Sequence, residues 1–319
     1  MMSSEYLLEP DLKDFFLSMP PLTFTAEALP AIRAAREKMA MEQMPPLPPE
    51  VSIVQEYAPG RDGAPDVRMK IYRTPSDRKD RPAILHLHGG GYVLGSPDSM
   101  APQCCAWAKG MDAVVVAPAY RLAPETAYPG NVEDAYAALA WLYKNADQLG
   151  VDTSKIAVAG ESAGGGLAAA LALLVRDRKE FSFCFQYLIF PMLDDRTTIR
   201  ADLSPMFGEY VWDRDKNRFG WAALLGQAPG GHDVSPYAAA ARADDLSGLP
   251  PTFISTGAMD LFTEEDLDYA RRLMAAGVPV ELHVYPGAPH GFMWVPNARV
   301  TKQYARDAWE ALARGIGAA

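Results

Sequence analysis

The chain predicts an α/β protein with an open, doubly wound and mostly parallel sheet. Two observations carry this. Short apolar runs rich in Val, Ile, Leu and Phe recur between turn residues with little polar alternation, as strands buried on both faces do. Helical patterns lie between several of those runs, and strand–helix alternation builds parallel sheets with helices on both faces. The 319 residues, 49% of them apolar, are enough for a large core.

Residues 1–50 read as helical and partly amphipathic. Ala26–Met44 is rich in helix formers and poor in β-branched residues. The run Met44-Pro45-Pro46-Leu47-Pro48-Pro49 ends it, because no helix crosses such a sequence. Val51–Tyr57 and Val67–Arg73 then read as strands, joined across Gly60-Arg61-Asp62-Gly63 as an antiparallel hairpin. Further strands are expected at Ala83–Leu87, Ala113–Ala117, Lys155–Ala159, Phe183–Phe190, Thr252–Ser255 and Val280–Tyr285. Helices are expected at Met100–Lys109, Val132–Gln148, Gly166–Arg178 and Glu264–Ala276. One segment, about Asp195–Gly231, breaks the alternation with aromatic residues set among charges. It reads as a helical insertion over the C-terminal edge of the sheet, where ligands bind in such folds.

Composition narrows the possible partners. The net charge is −10, from 30 Lys and Arg against 40 Asp and Glu. That disfavours nucleic acid and anionic membranes, which need a basic surface. Cys104, Cys105 and Cys184 are too few for a disulfide scaffold and have no zinc-type spacing. A reducing compartment suits them. The first residues have no basic start and no long apolar stretch, and nowhere do about 18 apolar residues run together. A cytoplasmic location without a membrane span is expected, and no cofactor is called for.

The chemistry starts at Lys155–Leu167, which contains Gly160-Glu161-Ser162-Ala163-Gly164. A buried strand enters, a small-residue turn follows and a helix leaves. Such a turn projects the Ser162 hydroxyl from the sheet edge, and glycines at 160 and 164 avoid clashes with the neighbouring strand and helix. The bare motif also occurs by chance in flexible loops, so the strand and helix around it carry the weight. The second signal is His88-Gly89-Gly90-Gly91-Tyr92, directly after a strand. Successive glycines leave backbone N–H groups uncovered, as an oxyanion site requires. The two motifs in this chain order are more specific than either alone.

A serine hydroxyl needs a base, and the base needs an orienting carboxylate. Only His232, His283 and His290 follow Ser162. His283 lies inside a predicted strand and His232 in the loop belonging to the insertion. His290 follows a strand directly and is the candidate base. Asp260 lies just past the strand Thr252–Ser255 and is the candidate acid. Its rivals Glu264, Glu265 and Asp266 open the next helix, where the dipole stabilises acids without a catalytic role. Glu265 is the reserve.

Taken together these residues resemble the bacterial hormone-sensitive-lipase-like esterases, family IV of the α/β-hydrolases. Tyr120-Arg121-Leu122-Ala123-Pro124-Glu125, Pro129, Asp134 and His290-Gly291-Phe292 also match family motifs. The resemblance implies an eight-stranded α/β-hydrolase fold with a catalytic core of residues 51–194 and 232–319. Residues 1–50 and 195–231 would form a helical cap. It implies a triad of Ser162, Asp260 and His290, and an oxyanion hole from the backbone N–H groups of Gly90, Gly91 and Ala163. It further implies a carboxylesterase for small-molecule esters of short-to-medium acyl chains, with a homodimer common among relatives. Lactone or small acetyl-ester hydrolysis is the alternative on the same triad, and a non-catalytic, receptor-like ligand binder is the alternative of another class. The sequence departs from the family at Leu261-Phe262 after Asp260, where Pro-Leu is usual, and at Gly166 and Tyr92, where Asn and Phe are common.

Overall fold

A computed structural model describes residues 4–318. Its sheet contains β1 (Ser52–Ala58), β2 (Val67–Arg73), β3 (Arg81–Leu87), β4 (Val114–Pro118), β5 (Val151–Glu161), β6 (Phe185–Ile189), β7 (Thr252–Gly257) and β8 (Val280–Tyr285). The spatial order is β1-β2-β4-β3-β5-β6-β7-β8. β2 runs antiparallel to both neighbours, and β3 to β8 are mutually parallel. The expected hairpin and parallel run are both present.

The helices are α1 (Lys13–Leu17), α2 (Leu29–Glu42), α3 (Ala101–Gly110), α4 (Gly130–Lys144), α5 (Ala146–Leu149), α6 (Ala163–Arg178), α7 (Arg214–Leu225), α8 (Thr263–Ala275) and α9 (Arg299–Gly315). Among the described residues no helix is long and apolar enough to cross a membrane. Strands β3, β4, β6 and β7 are buried at every residue, which explains why their sequences are mainly apolar with little polar alternation. Alternate side chains serve opposite layers. Leu85 and Leu87 of β3 pack in the layer with Val132 of α4, Leu167 of α6 and Leu273 of α8. Ile84 of β3 belongs to the other layer, with Trp107 of α3 and Leu312 of α9.

Several elements differ from the sequence expectation. The expected helix at 26–44 starts at Leu29, with Pro30 in its first turn, where a missing N–H does no harm. The expected helix at 132–148 breaks at Asn145, whose side-chain amide donates to the Trp141 carbonyl at 2.8 Å. The 195–231 segment is less helical than expected. Beyond a short turn at Asp195–Thr198 it holds only α7, capped by the Asp213 side chain. Pro205 and Gly208, the latter at φ 73°, keep the stretch before it irregular. The sequence reading assigns no helix at 299–315, where α9 packs. Val300, Ala308, Leu312 and Ile316 of this region are buried at spacings of eight, four and four residues, so the helical period is present there.

The N-terminal residues meet both the 195–231 segment and the sheet edge. Phe24 packs edge-on to Trp212 and Phe219 at 5.7 and 5.9 Å. The Ser4 N–H donates to Glu209 at 2.7 Å, and the Glu9 N–H donates to the Gly287 carbonyl at 3.0 Å. Arg33 of α2 donates to the carbonyls of Val93 and Ala123 at 2.7 and 2.8 Å and pairs with Glu125.

The motif at 120–125 braces the loops under the site. The Tyr120 hydroxyl donates to the His88 carbonyl at 2.6 Å, and its ring stacks on the His88 imidazole at 4.2 Å. Arg121 grips Asp134 of α4 through its backbone N–H and its guanidinium at 2.7 to 3.0 Å. Asp134 is 2% exposed, so removing it strands the guanidinium and the backbone donor. Asp134→Ala is expected to lower the unfolding free energy by about 2–3 kcal/mol, less than for a fully enclosed pair because Arg121 still reaches water. Urea denaturation checks this, and a change within about 0.5 kcal/mol would contradict it.

Candidate active site

The site forms where the parallel strands end. β5 finishes at Glu161 and α6 begins at Ala163, so Ser162 alone makes the turn. Its backbone sits at φ 57° and ψ −122°, a conformation that a non-glycine residue adopts only under constraint from its surroundings. The constraint is visible. The Ser162 N–H donates to the Ile189 carbonyl, and the Ser162 carbonyl accepts from Gly166 and Met192, each at 2.9 Å. A Cβ on Gly164 would lie 2.0 Å from the Leu87 carbonyl oxygen, so only glycine lets α6 approach β3 this closely.

The chain leaves β3 through His88 into the glycine loop. Gly90 and Gly91 adopt φ 131° and 61°. The N–H groups of Val93 and Leu94 turn back onto the Gly90 carbonyl at 3.1 and 2.9 Å. Among the described residues no hydrogen bond occupies the N–H of Gly90 or Gly91. Ala163 is the first residue of α6, where helix N–H groups have no intrahelical partner.

The loops after β7 and β8 are laced together. The Ala258 N–H donates to the Tyr285 carbonyl at 2.9 Å, and Met259 donates to the Ala288 carbonyl at 3.0 Å. This brings Asp260 beside His290. Asp260 is fully buried, and its Oδ1 accepts from the Phe262 N–H at 3.0 Å. Its Oδ2 lies 2.7 Å from His290 Nδ1, and His290 Nε2 lies 3.0 Å from Ser162 Oγ. A carboxylate at Asp260 accepts from the Nδ1–H, which leaves Nε2 free to accept from the Ser162 hydroxyl. The arrangement can take a proton from the serine while holding the imidazole in one tautomer.

The rival residues lie elsewhere. His232 is in an exposed loop. His283, on edge strand β8, meets Glu281 and Asp307 at 2.9 and 3.5 Å. Glu264 pairs with Arg200 at 2.6 Å. Glu265, the reserve acid, is buried and accepts from the N–H of Leu193 at 2.7 Å and from the Thr197 hydroxyl. Burial, reinforced by Asp194, pushes its carboxyl well above the usual carboxylate range. Asp266 is also buried, and neither of its oxygens is in a hydrogen bond. Burial, then Glu265 and Asp260, push it up likewise. Burial pushes the His88 imidazole down to about 4, so it is neutral at ordinary pH.

Three aromatic residues at the site carry no sequence motif. The rings of Phe190 and Phe262 lie 4.5 and 5.3 Å from the His290 ring. Phe190 holds a positive φ of 33°, with its N–H bound to the Ser255 carbonyl at 2.6 Å. Trp212 covers Gly91 so closely that a Cβ there would lie 2.1 Å from the indole, and its Nε1 donates to Asn217 at 3.3 Å. Only long-range packing places these residues, although the aromatic content of the 195–231 segment was a signal for Trp212.

The chain matches a family described as the alpha/beta hydrolase fold over residues 84–294. It is 40% identical to carboxylesterase NlhH of Mycobacterium tuberculosis, covering 90% of this chain and 89% of that protein. It is 35% identical to esterase LipI of the same species, covering 82% and 81%. The solved structure of a bacterial heroin esterase superposes with a TM-score of 0.91 at 38% identity, covering 98% of this chain and 99% of that one. At this identity and coverage, the chain belongs to the hormone-sensitive-lipase-like family IV carboxylesterases of the α/β-hydrolase superfamily.

Proposed function

We propose that the protein hydrolyses small carboxylic esters of short-to-medium acyl chains through Ser162, His290 and Asp260. The observation that carries this reading is the unbroken hydrogen-bonded chain from Ser162 Oγ through His290 to Asp260. His290 Nε2 takes the hydroxyl proton as Ser162 Oγ attacks the ester carbonyl. Asp260 stabilises the imidazolium that forms. The N–H groups of Gly90, Gly91 and Ala163 receive the developing oxyanion, where losing one donor costs about 3–4 kcal/mol in such sites. His290 returns the proton to the leaving alcohol, leaving an acyl-enzyme. It then deprotonates a water that releases the acid and regenerates Ser162.

Residues 1–50 and 195–231 act together as a cap in this reading. Their support is the contact of Phe24 with Trp212 and Phe219 and the seat of Trp212 on Gly91. Phe190 and Phe262 flank His290, Trp212 covers Gly91, and the serine is 7% exposed. That enclosure favours compact acyl groups over long ones.

Ser162→Ala is expected to lower kcat on p-nitrophenyl esters by about 10⁴-fold or more while the protein stays folded. Wild-type protein should take up a fluorophosphonate probe and the variant should not. Near-normal turnover by the variant would refute the mechanism, and an unlabelled wild type would favour a receptor-like protein. In a parallel panel, esters from acetyl to octanoyl should be turned over faster than longer esters, lactones or amides. Removing residues 1–50 is expected to shift that acyl-length profile or lower the Tm. A truncated protein with both unchanged would contradict the cap.

A further inference from the structure

A buried ion pair lies one residue from the nucleophile. Glu161 ends β5, and its carboxylate oxygens are 2.9 and 3.1 Å from His86 Nε2. His86 lies on β3, two residues before the glycine loop begins at His88. The two strands are neighbours, with His86 opposite Ala159 and Leu87 opposite Gly160. The pair therefore ties the strand that ends in Ser162 to the strand that ends in the oxyanion loop. It does so on the face that carries α3, where Cys104 and Trp107 contact the imidazole. On the opposite face Gly164 of α6 presses against the Leu87 carbonyl. The two strand ends are thus held from both sides.

The surroundings of the pair are closed. Cys104 Sγ of α3 lies 3.7 Å from His86 Nδ1, and the Trp107 ring lies 5.3 Å from the imidazole. His88, just past the end of β3, also feels the His86 charge. The Glu161 charge, after burial, also helps to push up the phenols of Tyr120, Tyr187 of β6 and Tyr304 of α9. Burial by itself favours neutral His86, but Glu161, then Cys104, outweigh it and hold the imidazole up to about 10. The imidazole is therefore protonated at neutral pH. Such pairs contribute little net stability, because apolar groups of the same shape are often as stable. What a directional tie from one N–H to both carboxylate oxygens provides here is a fixed spacing.

We propose that His86 and Glu161 are a positioning pair that sets the distance between Ser162 and the oxyanion donors of Gly90 and Gly91. This rests on the reaction proposed above. The pair touches no substrate and acts through the two strand ends. Misplaced donors weaken binding to the transition state more than to the ground state, so kcat suffers and KM does not. Deprotonation of His86 replaces a charge-assisted hydrogen bond with a weaker neutral one from the Nε2–H, so kcat should decline as pH rises through the His86 titration.

The test measures kcat, KM and their pH profiles with p-nitrophenyl butyrate, alongside Tm, for wild type, Ser162→Ala, Glu161→Gln, Glu161→Asp and the double variant His86→Gln/Glu161→Gln. For Glu161→Gln, kcat should drop about tenfold or more with KM within about twofold, as displacement of reacting groups does. Its alkaline fall should move toward neutral pH, because burial then leaves His86 neutral. Glu161→Asp should recover most of the rate and the wild-type profile. The double variant removes both charges, and it should fold with a Tm near wild type yet remain slow. A folded Glu161→Gln or double variant with wild-type kcat and pH profile would overturn the positioning pair while leaving the esterase reading intact. Failure of every pair variant to fold would also overturn it, in favour of a purely structural pair. If wild-type turnover did not depend on Ser162, the esterase reading itself would fall, and the pair's role with it.

Discussion

The site depends on how closely α6 can approach β3. The Gly164 Cα lies against the carbonyls of Leu87 and His88, and any side chain there would drive the helix away from the strand. That contact sets two things at once. It bends the chain through Ser162 into a backbone conformation that few residues tolerate, and it places the start of the glycine loop next to the start of α6. Ser162 and the Gly90 and Gly91 N–H groups, the proposed nucleophile and oxyanion donors, therefore come from two strand ends in backbone contact, to which the His86–Glu161 pair adds a side-chain tie. Backbone contacts in a close-packed interior deform little, which is the condition for donors that are aligned before the reaction starts.

The proposed acid and base depend on a second backbone arrangement. The loops after β7 and β8 exchange hydrogen bonds through Ala258, Met259, Tyr285 and Ala288, so Asp260 and His290 arrive side by side from positions 30 residues apart. Phe190 and Phe262 then enclose the imidazole. Their apolar rings exclude water from the His290–Asp260 bond, and that bond is stronger in a low dielectric. The N-terminal residues add to this edge, since Glu9 bonds the Gly287 carbonyl and Arg299 holds the Glu9 carboxylate at 2.8 Å. The same stretch reaches Glu209 through Ser4, so one peripheral segment spans both the histidine loop and the 195–231 segment.

The four acids at 260–266 show why residue type alone does not assign a role. All are carboxyls within two turns of the start of α8. Glu264 faces solvent and an arginine. Glu265 turns inward and bonds the backbone at Leu193, fastening the segment that follows β6. Asp266 is enclosed without a hydrogen bond. Only Asp260 points at an imidazole. Their partners separate them more than burial does, since Asp260, Glu265 and Asp266 are all enclosed, and burial without a facing cation pushes the carboxyls of Glu265 and Asp266 up.

Much of this was readable from the sequence. Mainly apolar runs marked β3, β4, β6 and β7 because strands covered on both faces need no polar alternation. The glycines around Ser162 and after His88 marked sharp turns because only glycine permits such backbone approach. His290 and Asp260 stood out because each follows a strand directly. The boundary at Asn145 was not readable, since it turns on one side-chain hydrogen bond. The helix at 299–315 buries Val300, Ala308, Leu312 and Ile316, at spacings of eight, four and four residues, and carries no turn or site motif. By itself, then, the sequence determined the strand order along the chain, the turn at Ser162 and the residue types able to do acyl chemistry, because these follow from local geometry and apolar period. Only the tertiary structure decided which carboxylate faces His290, which aromatic rings close over it, and that Glu161 meets His86 across β5 and β3. Those pairings depend on sheet register and loop packing between distant segments, and no local pattern encodes them.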